Sequence, residues 1–170
     1  MRKLPLLLLL FLFNAAQTGH SEVEPATSVT HSDVRQLYND CELNGVIAFD
    51  AFKKSVEGYN RFKPAKPIIA ICDFTKPSSA ERFYVIDLKQ KCVLYRSLVA
   101  HGKNSGELMA ESFSNKPQSL QSSLGFYKIG SPIQSPKHGL ALLLYGLEKN
   151  VNDNALTREI IIHGADYVCE

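Results

Sequence analysis

A chain of 170 residues is long enough for one domain of ordinary size. Its composition, 45% apolar and 21% charged with no tryptophan, excludes a coiled coil, a collagen-like repeat and a wholly disordered chain. The 19 Lys and Arg residues against 17 Asp and Glu residues give a formal net charge of +2, and Arg2 and Lys3 account for the excess. The rest of the chain carries no net charge, so we do not expect nucleic acid as a partner.

The N-terminus has the three parts of a secretory signal peptide. A basic start is followed by the uncharged apolar run 4–13 and by the small polar stretch 14–19. A membrane-spanning helix needs about 20 apolar residues, so an uncleaved anchor is the weaker alternative. We therefore predict a signal peptide at 1–19 and an exported protein, in the periplasm or cell envelope of a bacterium, with no membrane span after cleavage.

Two helices are predicted after a linker at 20–31, and they form an N-terminal helical segment at 32–63. Ser32 and Asp33 favour the start of a helix that runs to about Leu43, where Asn44-Gly45 would stop it. Apolar residues at steps of three and four predict a second helix from about Ala48 to Phe62.

Short β-branched and aromatic runs separated by turn residues predict a mainly β domain over 64–170. The predicted strands lie at 68–74, 83–88, 92–100, 126–129, 140–147 and 160–163. Asn152-Asp153-Asn154 can cap one helical turn that runs through Arg158. The fold class is therefore α+β, two helices followed by a β-rich domain. The polar loop (residues 102–121) has a length typical of functional or disordered segments.

Two His-Gly pairs, at His101 and His163, follow apolar runs that are predicted to be strands. An imidazole exchanges protons near neutral pH, and glycine lets a substrate approach closely, so each histidine is a candidate base. The alternative for either one is a structural histidine bonded to a nearby carbonyl. His138, in Lys137-His138-Gly139, is predicted to be a turn residue.

No nucleophile stands out from the residues alone. The serines of the polar loop are typical of turns and caps, and the chain has no Gly-x-Ser-x-Gly motif. Four cysteines allow three disulfide pairings in an exported protein, but Cys72 and Cys92 lie in apolar runs and are predicted to be buried as small hydrophobes. Without a Cys-x-x-Cys pair we predict no metal site, and we predict no cofactor.

Several ordered landmarks resemble the murein L,D-transpeptidase catalytic-domain family, which is YkuD-like. They are Cys72-Asp73-Phe74-Thr75-Lys76-Pro77, Val99-Ala100-His101-Gly102, Phe113-Ser114-Asn115, Ser122-Ser123-Leu124-Gly125-Phe126-Tyr127, Gly146-Leu147-Glu148 and Arg158-Glu159-Ile160-Ile161-Ile162-His163-Gly164-Ala165-Asp166-Tyr167-Val168. The resemblance covers roughly residues 40–170. It implies a β-rich domain that performs cysteine acyl transfer on the stem tetrapeptides of peptidoglycan.

The resemblance also implies roles for individual residues. His163 matches the catalytic histidine that accepts the thiol proton, and the carbonyl of Gly164 is expected to orient the imidazole. By the same analogy, His101, Ser114 and Ser122 are expected to line or support the substrate cleft. Peptidoglycan stem peptides are the expected partner, and the sequence does not indicate an oligomeric state.

One element of the family pattern is missing from the sequence. The family's nucleophile lies in a Ser-x-Gly-Cys motif beyond the histidine, and this motif is absent here. Cys169 follows Tyr167-Val168 and lies too close to His163 to replace it. We therefore expect a domain truncated at its C-terminus and inactive as a transpeptidase. A non-catalytic module that binds the cell wall is the alternative, and a Ser/His hydrolase and a purely structural envelope protein are more distant ones.

Overall fold

The computed structural model of the protein describes residues 7–12 and 31–168. Two helices, α1 at His31–Asp40 and α2 at Phe49–Phe62, lie where the sequence predicts them. Helix α1 ends before Leu43 because Glu42 adopts a left-handed conformation with φ of 53°. The N–H of Leu43 then donates to the carbonyl of Tyr38, which closes the helix in a Schellman motif.

In the described parts of the chain seven strands form one mixed sheet, and the fold is α+β as predicted. The strands are β1 Leu7–Leu12, β2 Ile68–Asp73, β3 Phe83–Asp87, β4 Cys92–Ser97, β5 Gly125–Ser135, β6 Gly139–Gly146 and β7 Ile161–His163. Their spatial order is β4-β3-β2-β1-β5-β6-β7, so two antiparallel three-stranded units flank β1. Strand β5 is longer than predicted because it continues past an irregularity between Ile129 and Pro132.

Strand β1 comes from the apolar run that the sequence predicts as the core of a signal peptide. It pairs antiparallel with β2 and parallel with β5. Signal-peptide cleavage stays a prediction, and it would remove this strand and separate the two three-stranded units. The predicted cleavage point and the linker up to residue 30 lie outside the described residues. Within the described part of the chain, no helix has the length and apolar character to cross a membrane.

The helices cover one face of the sheet. Ile69 and Ile71 of β2 alternate toward a core that includes Phe52 and Val56 of α2, and all four side chains are buried. Burying each such side chain stabilises the fold by about 1.5–3 kcal/mol. A second cluster, which includes Ala70 of β2, contains residues of β5 and β6. Strand β2 therefore contributes to both cores, as the period-2 alternation of a strand requires.

The segment between β6 and β7 is a series of hydrogen-bonded turns, and one of them, closed by the N–H of Arg158 donating to the carbonyl of Asn154 at 2.9 Å, is the predicted helical turn. Asn152 is fully buried, and its side chain accepts from the N–H of Glu148 and donates to the carbonyl of Phe126. Because these bonds tie the end of β6 to the start of β5, the asparagine acts as a tertiary clamp and not as a helix cap.

Candidate functional site

His163 is the last residue of β7, at the edge of the sheet. The register places it opposite Ala141 of β6, close to the turn that joins β5 and β6. An open cavity of about 330 Å³ lies here. It is lined by Lys137, His138, His163, Gly164, Ala165, Asp166 and Tyr167.

The ring of His163 is oriented by its own neighbour. Nδ1 lies 2.8 Å from the carbonyl oxygen of Gly164. Because a carbonyl oxygen only accepts, Nδ1 carries the proton in this contact and Nε2 keeps its lone pair. Nε2 has no hydrogen-bond partner within residues 31–168. The structure thus contains a contact between the His163 ring and the Gly164 carbonyl, and the arrangement suits a proton acceptor. The catalytic role stays a prediction.

His138 lies directly against His163. The two ring centroids are 4.0 Å apart, and the ring planes are inclined by 32°. Desolvation lowers the pKa of His138, and the nearby His163 and Lys137 lower it further. His138 occupies a turn as predicted, but its contact with His163 was not expected. The turn was visible in the sequence, whereas the pairing of β6 with β7 that brings the two rings together was not.

His101 takes part in a hydrogen-bond network centred on Arg82, whose side chain is fully buried. Nη2 of Arg82 donates to Nδ1 of His101 at 2.8 Å, and Nε2 of His101 lies 3.1 Å from the carbonyl oxygen of Gly106. Since a guanidinium only donates, Nδ1 is the acceptor and Nε2–H donates to Gly106. Both nitrogens of His101 are engaged, which matches the alternative of a structural histidine.

Ser114 and Ser122 belong to a second hydrogen-bonded cluster. The hydroxyl of Ser122 accepts from the N–H of Gly102 at 2.9 Å, and that of Ser114 accepts from the N–H of Lys116 at 3.0 Å. Arg158 donates to the carbonyls of Ser114 and Gln121 and to the hydroxyls of Ser119 and Ser123. These four hydrogen bonds hold the polar loop in place. Both serine hydroxyls therefore accept hydrogen bonds from backbone N–H groups of the loop.

The structure does not bring all the predicted site residues together. Ser122 lies just before the start of β5. His163 pairs with Ala141 of β6, which in turn pairs with Ile133 near the far end of β5. About ten residues of extended chain separate these levels, which corresponds to roughly 30 Å. His101 lies near Ser122, because the N–H of the next residue, Gly102, donates to the Ser122 hydroxyl. The predicted substrate-binding role of His101, Ser114 and Ser122 stays a prediction.

The described cysteines lie away from His163. Cys41 and Cys72 are buried, and burial raises the pKa of Cys41 to about 11 and that of Cys72 to about 12. The prediction that Cys72 packs as a buried small side chain is confirmed, while Cys92 is half-buried. None of these three lines the cavity at His163. Cys169 lies outside the described residues.

Within residues 31–168, no three His, Cys, Asp or Glu side chains are placed to hold a metal ion. A comparison with protein families matches residues 43–170 to the L,D-transpeptidase catalytic domain. No curated protein and no solved structure matches the chain.

Proposed function

Because the chain belongs to the L,D-transpeptidase catalytic-domain family, we propose that it binds peptidoglycan stem peptides at the cavity around His163. The supporting observation is the hydrogen bond from Nδ1 of His163 to the Gly164 carbonyl, which leaves Nε2 with its lone pair beside that cavity. We further propose that the protein is exported and meets this substrate in the bacterial cell envelope, in line with its N-terminal sequence.

The reaction of the family assigns His163 a proton-transfer role. A cysteine thiol gives its proton to Nε2, and the thiolate attacks the carbonyl carbon of the third stem residue. A carbon–sulfur bond forms, the amide bond to D-Ala breaks, and D-Ala leaves with the proton held by the imidazole. The amine of a neighbouring stem then attacks the thioester carbonyl and gives a proton to Nε2 of the imidazole. The new amide bond forms and the carbon–sulfur bond breaks, which releases the thiolate.

The chain of 170 residues does not offer a thiol for this step among its described residues. None of the described cysteines, Cys41, Cys72 and Cys92, lines the cavity at His163. Cys41 and Cys72 are also buried and have raised pKa values, so neither is poised as a thiolate at neutral pH. The Ser-x-Gly-Cys motif is also absent from the sequence. We therefore propose that this chain binds stem peptides without turning them over. Binding without turnover is also what we expect of the second candidate function, a non-catalytic module that binds the cell wall.

Two measurements on the purified chain test the proposal. Co-sedimentation with isolated peptidoglycan measures binding, and mass spectrometry of muropeptides measures release of D-Ala. We expect binding without D-Ala release. Release of D-Ala would refute binding without turnover, and the absence of any binding would refute the proposed substrate.

A charge-matched pair of variants locates the binding site. Lys137→Gln removes a positive charge from the lining of the cavity, and Lys89→Gln removes one from an exposed turn after β3. Stem peptides carry free carboxylates, so Lys137→Gln is expected to weaken binding several-fold while Lys89→Gln leaves it unchanged. Equal effects of the two substitutions would place binding elsewhere on the protein.

A further inference from the structure

The turn between β5 and β6 holds the backbone of His138 in a defined place. The N–H of His138 lies 3.3 Å from Oγ of Ser135, and Gly139 has a φ of 68°, which favours glycine. Ser135 and Gly139 then pair as the first residues of the β5–β6 ladder. The position of His138 is thus determined by a closed hairpin turn.

His163 is less firmly restrained by its own strand. Strand β7 has three residues and lies at the edge of the sheet. The ring makes one hydrogen bond, to the carbonyl of the exposed Gly164, and a Cβ added at Gly164 would meet nothing within 4 Å. One hydrogen bond to a neighbouring carbonyl leaves the ring plane free to swing about the side-chain torsions. The ring of His138 packs against it at a tilt of 32°, with the two ring centroids 4.0 Å apart, and supplies the second restraint.

We propose that His138 is a positioning residue for His163. The ring of His138 packs against the ring of His163 and fixes its plane. This keeps Nδ1 of His163 bonded to the Gly164 carbonyl and so maintains the tautomer in which Nε2 can accept a proton. This inference deepens the proposed function and rests on it, because it assigns His138 a part in orienting the histidine that lines the same cavity.

The charges around the pair are consistent with this role. Besides His163, the titratable groups that line the cavity together with His138 are Lys137 of the same turn and Asp166 and Tyr167 of the segment after β7. Desolvation, then His163, then Lys137 lower the pKa of His138, which favours its uncharged form at neutral pH. When His163 takes up a proton, its imidazolium therefore faces a neutral aromatic ring and not a second positive charge.

The tautomer of His163 is the first test, and it needs no catalytic activity. Long-range ¹H–¹⁵N spectra of the ¹⁵N-labelled chain distinguish a protonated Nδ1 from a protonated Nε2. We expect a dominant Nδ1–H form in the unaltered chain and in His138→Phe, which keeps a ring to stack. In His138→Ala we expect a loss of that dominance and an averaged signal.

The internal control is His101, whose signals should stay unchanged in each variant because its network with Arg82 lies elsewhere. An unaltered His163 tautomer in His138→Ala would overturn the proposal. A loss in His138→Phe as large as that in His138→Ala would also overturn it, since stacking would then not be the cause.

A pH titration of His138 is the second test and does not depend on the stability of the His138 variants. His163→Gln removes the neighbouring positive charge, so the pKa of His138 is expected to rise. An unchanged pKa of His138 would show that the rings do not face each other in solution. Binding of a stem tetrapeptide is measured separately: if the peptide fails to bind while the tautomer responds as expected, the proposed substrate is wrong and the positioning role of His138 stands.

Discussion

Arg82→Ala should strongly destabilise the protein, because this fully buried side chain links three parts of the chain. Its guanidinium donates to the carbonyl of Val99 through Nε and Nη2, at 3.0 and 2.7 Å. It also donates to the carbonyl of Lys76 at 3.0 Å and to Nδ1 of His101 at 2.8 Å. The substitution would leave three acceptor groups without their donor.

The magnitude follows from the number of acceptors and their exposure. A buried acceptor left without a donor costs about 1–3 kcal/mol. Val99, Lys76 and His101 are each partly exposed, so water can replace some of the lost donors. We therefore expect a loss of about 3–4 kcal/mol in the free energy of unfolding, a large share of the roughly 5–15 kcal/mol typical of a domain.

Urea denaturation followed by far-UV circular dichroism measures this loss. Arg96→Ala is the matched control, because Arg96 is exposed on β4 opposite Tyr84, and its removal should change stability by less than about 0.5 kcal/mol. Arg82→Lys should fall between the two, since lysine keeps the charge but not the forked set of donors. A loss below about 1 kcal/mol for Arg82→Ala would refute the reasoning.

Further predictions concern the polar loop, β1, a thiol and an ion pair. Arg158→Lys should increase trypsin cleavage within the polar loop, because lysine cannot reproduce four donated hydrogen bonds; cleavage at the unaltered rate would contradict this. Deleting residues 1–19 should speed amide hydrogen exchange in the strands on either side of β1, measured by mass spectrometry, and unchanged exchange would show that β1 does not pair there. Cys72, with a pKa of about 12, should react with iodoacetamide on the order of a thousandfold more slowly than a free thiol at pH 8, and similar rates in the folded and urea-unfolded chain would argue against its burial. Lys91 lowers the pKa of Asp40, so the stabilisation by this pair is present above the unfolded pKa of the carboxyl and lost as pH falls through its folded pKa; Lys91→Gln should raise the pKa of Asp40 in an NMR titration, and an unchanged value would contradict the pairing.

Local sequence determined most of the helices and strands after residue 30 to within a few residues, the longer β5 being the exception. The second helix is confirmed from Phe49 to Phe62 because an amphipathic stripe at steps of three and four is a property of one segment alone. The strands after residue 67 could be predicted for the same reason, since each is a short β-branched or aromatic run between turn residues. The landmarks around His163 likewise indicated the family that the comparison shows.

Tertiary structure decided what those elements contact. An apolar run such as Leu7–Leu12 is typical both of the core of a signal peptide and of a strand inside a sheet. Only its backbone pairing with β2 and β5 places it in the sheet. By residue pattern alone, before the family resemblance is considered, His101-Gly102 and His163-Gly164 are equivalent candidates. Folding distinguishes them, because Arg82 engages both the ring and the loop of His101, while strand register brings His138 against His163. Such long-range pairings depend on the register of distant strands, which no local pattern of residues specifies.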